Sequence, residues 1–336
     1  MKRRNFLRLP IAAGLVAGGA SLFTWTQRAF SATVTANLNI VSGTVTTIDD
    51  VVLPVFGYSE TQTNQFPGPS IICREGDTIA LTLRNYLGTK SGFAVNGHSV
   101  NQILNPGETK QLSFAAPKAG SYLYHDPLNN GVNRLMGLHG ALIVMPAGET
   151  NRSFAGAPLF IRQYKWILSN LDPLWCNAVG TNGDNFVTDP SLSINTFKPR
   201  YFTINGESYE RSKNADTKVY GAYGEPALIR MLNAGAVTHS PHFHANHVIV
   251  ISINRRNFDV NAQKHKDVVS MFPLDARDVI FPFDLPPDAW PPVTTAQHYP
   301  MHCHSEPSQT ANGGSYPHGM HTAIDMGHTP PQEPKL

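Results

Sequence analysis

The sequence predicts an all-β protein made of two sandwich-type domains, and three observations carry that prediction. Its 336 residues exceed one average domain, so about two compact units are expected. Glycine and proline are abundant, at 27 and 26 residues, and only 15% of the residues are charged, a balance that favours strands and turns over long helices. Short runs of β-forming residues broken by turn residues also occupy both halves of the chain.

The first domain is predicted over residues 33–148 and the second over residues 155–328. Strands are expected in the first domain at TVTANLNIV, TIALTLRNYL, KQLSFAA, GSYLYH and GALIVM, and in the second at PLFIRQYKWIL, RYFTING, PALIRML, HVIVISI and RDVIFPF. The small and polar stretch AGETNRSFAGA, residues 147–157, has the composition of an interdomain linker. The proline-rich residues 329–336 are expected to form a flexible tail.

The N-terminal segment has the three parts of a secretory signal: a basic start, an apolar stretch over residues 9–23, and small residues before a cleavage site near Ser31. Arg3 and Arg4, followed by NFL, resemble a twin-arginine export signal. We therefore expect residues 1–31 to be a signal peptide, and the mature protein to be periplasmic or secreted without a membrane span. An ordinary secretory signal or an uncleaved anchor is the alternative.

The charge and the cysteine count exclude several classes of protein. Residues 1–31 carry five basic residues and no acid, so the remainder has 21 basic and 24 acidic residues and lacks the basic footprint of a nucleic-acid-binding protein. Three cysteines supply neither a disulfide framework nor a four-thiolate zinc site. Cys73 and Cys176 fall one in each predicted domain, and they are either paired or free and buried. Fourteen histidines instead indicate metal chemistry.

The first histidine cluster is HSPHFHANH, which contains His239, His242, His244 and His247. Side chains alternate between the two faces of a strand, so His242 and His244 are expected on one face while His239 turns to a different site. A surface loop that binds metal incidentally is the alternative. Such loops seldom lead directly into an apolar strand such as VIVISI.

The second cluster is His302-Cys303-His304. On an extended strand the two imidazoles point to one face and the thiol to the other, so a few covalent bonds would link a thiolate-bound metal to an imidazole-bound metal. Thiolate with imidazole and a weak thioether is the ligand set of a blue-copper electron-transfer site. A buried structural cysteine between incidental histidines is the alternative.

These motifs resemble those of a known family. HSPHFH and HCH are similar to the copper-ligand motifs of the last cupredoxin domain of multicopper oxidases, and RYFTINGESY is similar to the segment before them. The run NPGETKQLSFAAPKAGSYLYHD, with GLHGALIVMP after it, is similar to the first cupredoxin domain of that family and of copper nitrite reductases. The resemblance implies two cupredoxin-like Greek-key β-sandwich domains.

The resemblance also implies a set of copper ligands. The type 1 copper would be held by His239, Cys303, Met320 as a long axial ligand and a later histidine, His318, with His321 as its rival. His242 would hold the type 2 copper. The type 3 pair would be held by His244, His302 and His304, with His98 and His125 contributed to the cluster by the first domain. Electrons from a phenolic compound or a metal ion would enter at the type 1 site and reduce dioxygen to water.

The sequence departs from the family pattern in the first domain. Family members usually carry two His-x-His motifs there, but the partners of His98 and His125 are replaced, the latter by Pro127. Asp126 could serve as a ligand or proton donor, His139 or His247 could approach, or the cluster could hold fewer metals. A structural role is favoured for His139.

A second departure follows Cys303, because position 308, where the family has its next type 1 histidine, is a serine. Glu306 could relay protons to reduced oxygen, or be a solvated loop residue.

The resemblance leaves three readings of function. Asp126 stands where a nitrite reductase would carry its type 1 cysteine, which argues against nitrite reduction. The pattern fits a two-domain oxidase, in which the copper cluster lies between subunits and the assembly is a homotrimer. A non-catalytic cell-envelope protein with a cupredoxin scaffold is the remaining alternative.

Overall fold

A computed structural model describes residues 31–213, 216–286 and 295–328. Apart from Ser31, the predicted signal peptide lies outside these residues, and so does the predicted tail at 329–336. The chain forms two β-sandwiches, which confirms the predicted all-β fold class with cupredoxin-like domains.

The first sandwich packs a four-stranded sheet, in the order β2-β1-β4-β7, against a five-stranded sheet, in the order β3-β9-β8-β5-β6. Short 3-10 and α-helical turns at Asn129–Gly131 and Val132–Leu135 (α1) connect β8 to β9. The strands are β1 Thr33–Thr46, β2 Val52–Ser59, β3 Ile71–Arg74, β4 Thr78–Asn85, β5 Ser91–Val95, β6 Asn101–Leu104, β7 Thr109–Ala115, β8 Gly120–His125 and β9 His139–Met145.

The second sandwich packs a seven-stranded sheet, β11-β10-β13-β18-β15-β16 with β17 paired to β15, against a four-stranded sheet in the order β12-β20-β19-β14. The strands are β10 Arg162–Leu171, β11 Tyr201–Ile204, β12 Val219–Gly221, β13 Ala227–Asn233, β14 Pro241–Phe243, β15 Val248–Ile253, β16 Arg256–Asn257, β17 Lys264–Lys266, β18 Ala276–Phe281, β19 Gln297–Cys303 and β20 His321–Met326. Further 3-10 turns lie at Gly183–Thr188, Ile194–Thr196, Arg211–Lys213, Val260–Ala262 and Glu306–Gln309.

The two sandwiches share a packed interface because several strands are apolar on both faces. In β9, Leu142 and Val144 point into the core of the first sandwich, while the alternate residues Ala141 and Ile143 point into a separate cluster with β13 and β18 of the second. A strand whose two faces are both covered is a continuous apolar run, which is how GALIVM appears in the sequence. The interface therefore fixes the two sandwiches face to face.

The segment at residues 147–157 connects the sandwiches and is itself packed. Phe154 and Ala157 are buried in the cluster between the two sheets. The hydroxyl of Ser153 donates a hydrogen bond to the Asp278 carboxylate at 2.7 Å. The stretch predicted as an interdomain linker is therefore anchored to the interface by Ser153, Phe154 and Ala157.

The helix α2, Pro173–Asn182, lies after β10 and covers the core of the first sandwich. The Asp172 carboxylate caps its N-terminus by accepting a hydrogen bond from the Leu174 amide at 2.9 Å. Gly180 approaches Pro54 of β2 so closely that a Cβ there would lie 2.6 Å from the proline ring. No helix in the described ranges is long and apolar enough to span a bilayer.

The two cysteines outside the second histidine cluster are free. Cys73 and Cys176 are both buried in the first core, the latter on α2, and neither forms a disulfide. Burial raises the pKa of each thiol to about 12, so both are neutral packing residues.

A buried ion pair lies at the centre of the interface. Arg230 of β13 and Asp278 of β18 are opposite each other in the register, with 3.2 Å between Nη1 and Oδ2. The hydroxyl of Ser121, from β8 of the first sandwich, donates to Asp278 at 2.6 Å, and Arg230 Nε donates to Gln163 at 3.0 Å. Burial lowers the pKa of Arg230, and the Asp278 carboxylate opposes that shift. Side chains from both sandwiches therefore hydrogen-bond to the pair.

We expect Asp278→Asn to lower the free energy of unfolding by roughly 3–5 kcal/mol, because it leaves the buried Arg230 guanidinium without a counter-charge. Urea denaturation of the full chain measures this loss. The matched control is Asp50→Asn, which removes the exposed partner of Arg211 and should cost less than about 1 kcal/mol. Equal losses in the two variants would contradict a central role for the buried pair.

Candidate metal centre

The four-stranded sheet of the second sandwich carries the predicted ligands on opposite faces. In the register, His302 of β19 lies between His242 of β14 and His321 of β20, so these three side chains share one face. The neighbouring Cys303 points to the other face and is fully buried in the core. The alternation expected from the sequence is therefore present.

Four imidazoles meet on the His302 face. One ring nitrogen from each of His242, His302 and His304 lies within 4.8 Å of the other two. His244 joins them, with 3.2 Å between its Nε2 and Nε2 of His302. Ring centroids in this group are 4.4 to 5.4 Å apart, so the structure brings together all four second-domain residues predicted to hold the type 2 and type 3 coppers.

The imidazole cluster is open to solvent on one side. His304 is exposed, and His242 and His244 line a depression of about 860 Å³ whose wall includes Asp267 and Tyr299. Burial and the neighbouring imidazoles lower the pKa of His302 to about 4 and also lower that of His244. Both rings are therefore neutral at pH 7 and have a lone pair available for a metal.

The sulfur of Cys303 lies beside an imidazole on the opposite face. Its distance to His239 Nδ1 is 3.7 Å. Two ligands of one tetrahedral ion lie about this far apart, since metal–sulfur and metal–nitrogen bonds are about 2.3 and about 2.1 Å, as in zinc sites. The backbone amides of Ser240 and Ser305 point at the sulfur, at 3.1 and 3.5 Å, and stabilise negative charge there.

His239 is held rigidly for this contact. It is fully buried, and burial lowers its pKa to about 4. The side-chain amide of Asn170 contacts the far ring nitrogen, Nε2, at 2.6 Å, so Nδ1 is turned to the sulfur. The sequence contained no signal for Asn170, because it lies 69 residues before His239 in the chain.

Met320 is positioned next to Cys303 by the backbone. The Cys303 amide donates to the Met320 carbonyl at 3.1 Å, and the Met320 amide donates to the Ser308 carbonyl at 2.7 Å. Met320 is fully buried in the same core cluster as Cys303. Met320 as an axial thioether ligand stays a prediction.

His318 and His321 occupy other places. His318 is exposed and borders a depression with Asp49 and Tyr209, and within the described residues it does not join the His239 and Cys303 ligand atoms in a group. The pleat puts His321 on the His302 face, with 6.3 Å between the two ring centroids. The structure therefore supports neither as the second imidazole of the Cys303 site, because one is on the surface and the other on the wrong face.

The predicted first-domain ligands lie away from this cluster. His98 sits in the turn before β6, where its Nδ1 accepts a hydrogen bond from the Val100 amide at 3.2 Å. His125 ends β8, with its Nδ1 3.0 Å from the Asp126 carbonyl oxygen. In the part of the chain that the structure describes, neither residue belongs to a group of three or more clustered ligand atoms. One chain alone therefore does not assemble the predicted six-imidazole cluster.

The surroundings of Asp126 do not support its predicted role as ligand or proton donor. Its carboxylate is fully buried and accepts four hydrogen bonds, so it fixes the ends of β5 and β8 instead. The donors are Ser91 Oγ at 2.5 Å, the Gly92 amide at 2.8 Å, the Leu128 amide at 2.7 Å and Asn133 Nδ2 at 3.0 Å.

His139 and Glu306 complete the predicted set. Both ring nitrogens of His139 have partners, the Arg134 carbonyl at 2.9 Å and the Ser169 hydroxyl at 2.9 Å, which agrees with the structural role favoured for it. Glu306 is exposed at the start of the 3-10 turn after Cys303, and its role in proton relay stays a prediction.

The donor atoms fit copper on both faces. A thiolate with imidazole nitrogen suits a copper that transfers electrons, and a cluster of neutral imidazoles suits copper that handles oxygen. Burial and the neighbouring imidazoles lower the pKa of His302, which keeps its ring neutral and suited to a metal. His239 and Cys303 would hold one copper, and the four imidazoles would hold the others.

Comparison with known proteins points the same way. A family model described as multicopper oxidase matches residues 59–149. The chain is 40% identical over 95 residues to an L-ascorbate oxidase of Nicotiana tabacum, a match covering 24% of this chain and 16% of that protein. It is 33% identical over 103 residues to a copper-containing nitrite reductase of Alcaligenes xylosoxydans xylosoxydans, covering 28% of this chain and 31% of that one. These matches span less than a third of either relative.

Among solved structures, a blue copper oxidase from Nitrosomonas europaea has a TM-score of 0.69 at 21% identity, over 88% of this chain and 86% of that one. At this identity the likeness shows a shared fold. Residues 59–149 therefore match the multicopper oxidase family model, and most of the chain shares the fold of a blue copper oxidase.

Proposed function

We propose that this protein is a copper oxidase that takes electrons from a small reducing substrate and reduces dioxygen to water. The observation that carries the proposal is the His302-Cys303-His304 run on β19. It puts a buried sulfur beside His239 on one face of the sheet and two imidazoles of a four-ring cluster on the other.

The residues of the chain divide the work between the two faces. Copper held there would supply the redox chemistry, accepting single electrons on the Cys303 face and giving them to oxygen on the imidazole face. Cys303 is bonded through its own backbone to both His302 and His304, so the covalent path between the faces is short. Burial of the sulfur excludes water from one end, while the depression beside His242 admits small molecules to the other.

The proposed electron donor is a phenolic compound or a metal ion such as Mn(II) or Cu(I). Oxygen uptake by the copper-loaded protein, measured with each donor class, distinguishes them. The predicted signal peptide supports export by the twin-arginine route, and we propose a periplasmic or secreted location on that basis.

We further propose that the protein works as a homotrimer. The imidazole cluster is open on the side of the depression, and His98 and His125 lie elsewhere on the same chain. A neighbouring subunit that docks its first domain over the depression would bring those two imidazoles to the cluster.

Nitrite reduction is the second candidate, favoured by the likeness to the nitrite reductase of Alcaligenes xylosoxydans xylosoxydans. The environment of Asp126 argues against it. A carboxylate tied by four donors stands where the resemblance would require a type 1 cysteine.

We expect the copper-loaded protein to show a blue thiolate-to-copper absorption band that disappears in Cys303→Ser. The serine hydroxyl lacks the soft sulfur that produces the band. Visible absorption and copper content per chain measure the effect. Cys73→Ser, an identical change at another buried free cysteine, should leave the band intact. A wild-type protein with no blue band would rule out the type 1 assignment and favour a non-catalytic cupredoxin scaffold.

We expect His125→Ala to abolish oxygen uptake while keeping the blue band, because His125 is proposed to serve the imidazole cluster and not Cys303. Loss of both signals together would show that His125 is structural. His304→Ala should also lose oxygen uptake, from the second-domain side of the cluster.

Mixed trimers test the intersubunit cluster directly. His125→Ala and His304→Ala chains carry different tags, and mixed trimers are purified on both tags after co-expression. In each mixed trimer, one of the three interfaces combines an intact His125 with an intact His304. We therefore expect about one third of wild-type oxygen uptake from two inactive parents. Mixed assemblies that stay inactive would contradict a cluster shared between subunits.

A further inference from the structure

Three candidate metal ligands lie together at the end of β19 remote from Cys303. They are His298 on β19, Asp325 on β20 and His328 just after β20, and one ligand atom from each lies within 4.8 Å of the other two. His298 Nδ1 is 2.7 Å from Asp325 Oδ1, and the two imidazole ring centroids are 4.7 Å apart. None of the three is among the predicted copper ligands.

We propose that His298, Asp325 and His328 form a further metal site, the edge site, which binds one divalent transition-metal ion. Two imidazoles and one carboxylate form a mixed nitrogen and oxygen set that first-row divalent ions prefer. Hard ions such as Mg²⁺ favour all-oxygen sites, so the edge site selects against them. The proposal is independent of the copper oxidase function, since it uses none of the same side chains.

The fold holds the three ligands in place before any ion binds. The β19–β20 register puts His298 directly opposite Asp325, and β12 pairs along the other edge of β20. After β20 the Gly327 amide donates to the Gly221 carbonyl at 2.8 Å, and Gly327 has a φ of 74°, in the left-handed region. This turn directs the chain back so that the His328 ring faces His298.

The edge site is buried at Asp325 and open to solvent at His298. The Asp325 side chain is 3% exposed, whereas that of His298 is 64% exposed, so an ion reaches the carboxylate from solvent past His298. Nε2 of His328 is buried and has no hydrogen-bond partner within the described ranges. A buried nitrogen without a partner is costly, and a coordinated ion would satisfy it.

The charge of Asp325 is shared with Lys218, whose Nζ lies 2.5 Å from Oδ2. Lys218 therefore occupies one carboxylate oxygen and leaves Oδ1 to His298. An ion that enters between His298 Nδ1 and Asp325 Oδ1 replaces the proton shared by these atoms, and that proton leaves to solvent. Lys218 competes with the ion for the same negative charge. Removing the lysine charge should therefore strengthen metal binding.

The test is titration of the copper-loaded full-length protein with Zn(II), after loosely held metal has been removed, followed by isothermal calorimetry. We expect one Zn(II) per chain beyond the copper. His298→Ala and His328→Ala should each weaken that binding at least roughly tenfold, because each removes a ligand. Lys218→Gln should strengthen it. The blue band should be unchanged in all three variants, because none of them alters a residue beside Cys303.

The matched control is His265→Ala, which removes an exposed imidazole on β17 outside the edge site. It should leave Zn(II) affinity and stoichiometry at wild-type values. If His298→Ala and His328→Ala bind Zn(II) as the wild type does, or if His265→Ala loses as much affinity as they do, the edge site is an adventitious surface group and the proposal is wrong. Failure of the copper proposal would appear instead as a missing blue band with Zn(II) binding intact.

Discussion

The alternation of side chains along β19 is the constraint on which the rest of the site depends. Because neighbouring residues of a strand point to opposite faces, one peptide unit separates the Cys303 sulfur from the His302 and His304 imidazoles while keeping them covalently linked. The pairing of β14 with β19 extends each face by one strand, adding His242 to the imidazole side. A slip of one residue in that register would exchange the two faces and destroy both groups.

A second constraint is the packing of the two sandwiches on each other. The inner sheets are apolar on the faces that meet, and Ser121 of the first sandwich hydrogen-bonds to both Arg230 and Asp278 of the second. This contact fixes where His98 and His125 lie relative to the sheet that carries the other imidazoles. Among the described residues of a single chain, the imidazole cluster is therefore built by histidines of the second sandwich.

Patterns within one strand or one short motif were predictable from the sequence, and contacts between distant segments were not. Alternation in HSPHFH and HCH was enough to separate His239 and Cys303 from the imidazole cluster, and GALIVM was recognisable as a fully buried strand. Asn170, which holds His239, is 69 residues away and carries no local signal. Asp126 looked like a functional acid because sequence adjacency to His125 hides the four donors that enclose it. Helix α2 was not predicted, because its ten residues, PLWCNAVGTN, include proline, glycine and asparagine, which favour turns over helices.

The long segment between Cys303 and Met320 keeps Met320 next to Cys303 but places His318 away from it. The Cys303 amide donates to the Met320 carbonyl, and the Met320 amide donates to the Ser308 carbonyl, so the backbone closes a loop that brings Met320 next to Cys303. The chain between residues 309 and 318 extends away from these two hydrogen bonds, and His318 therefore lies at the surface. Ser308, whose carbonyl accepts the Met320 amide, is buried. It stands at the position where the family pattern has its second type 1 histidine. His239 and Cys303 would therefore hold a copper at this face with one imidazole and one thiolate, and that copper would supply electron-transfer chemistry.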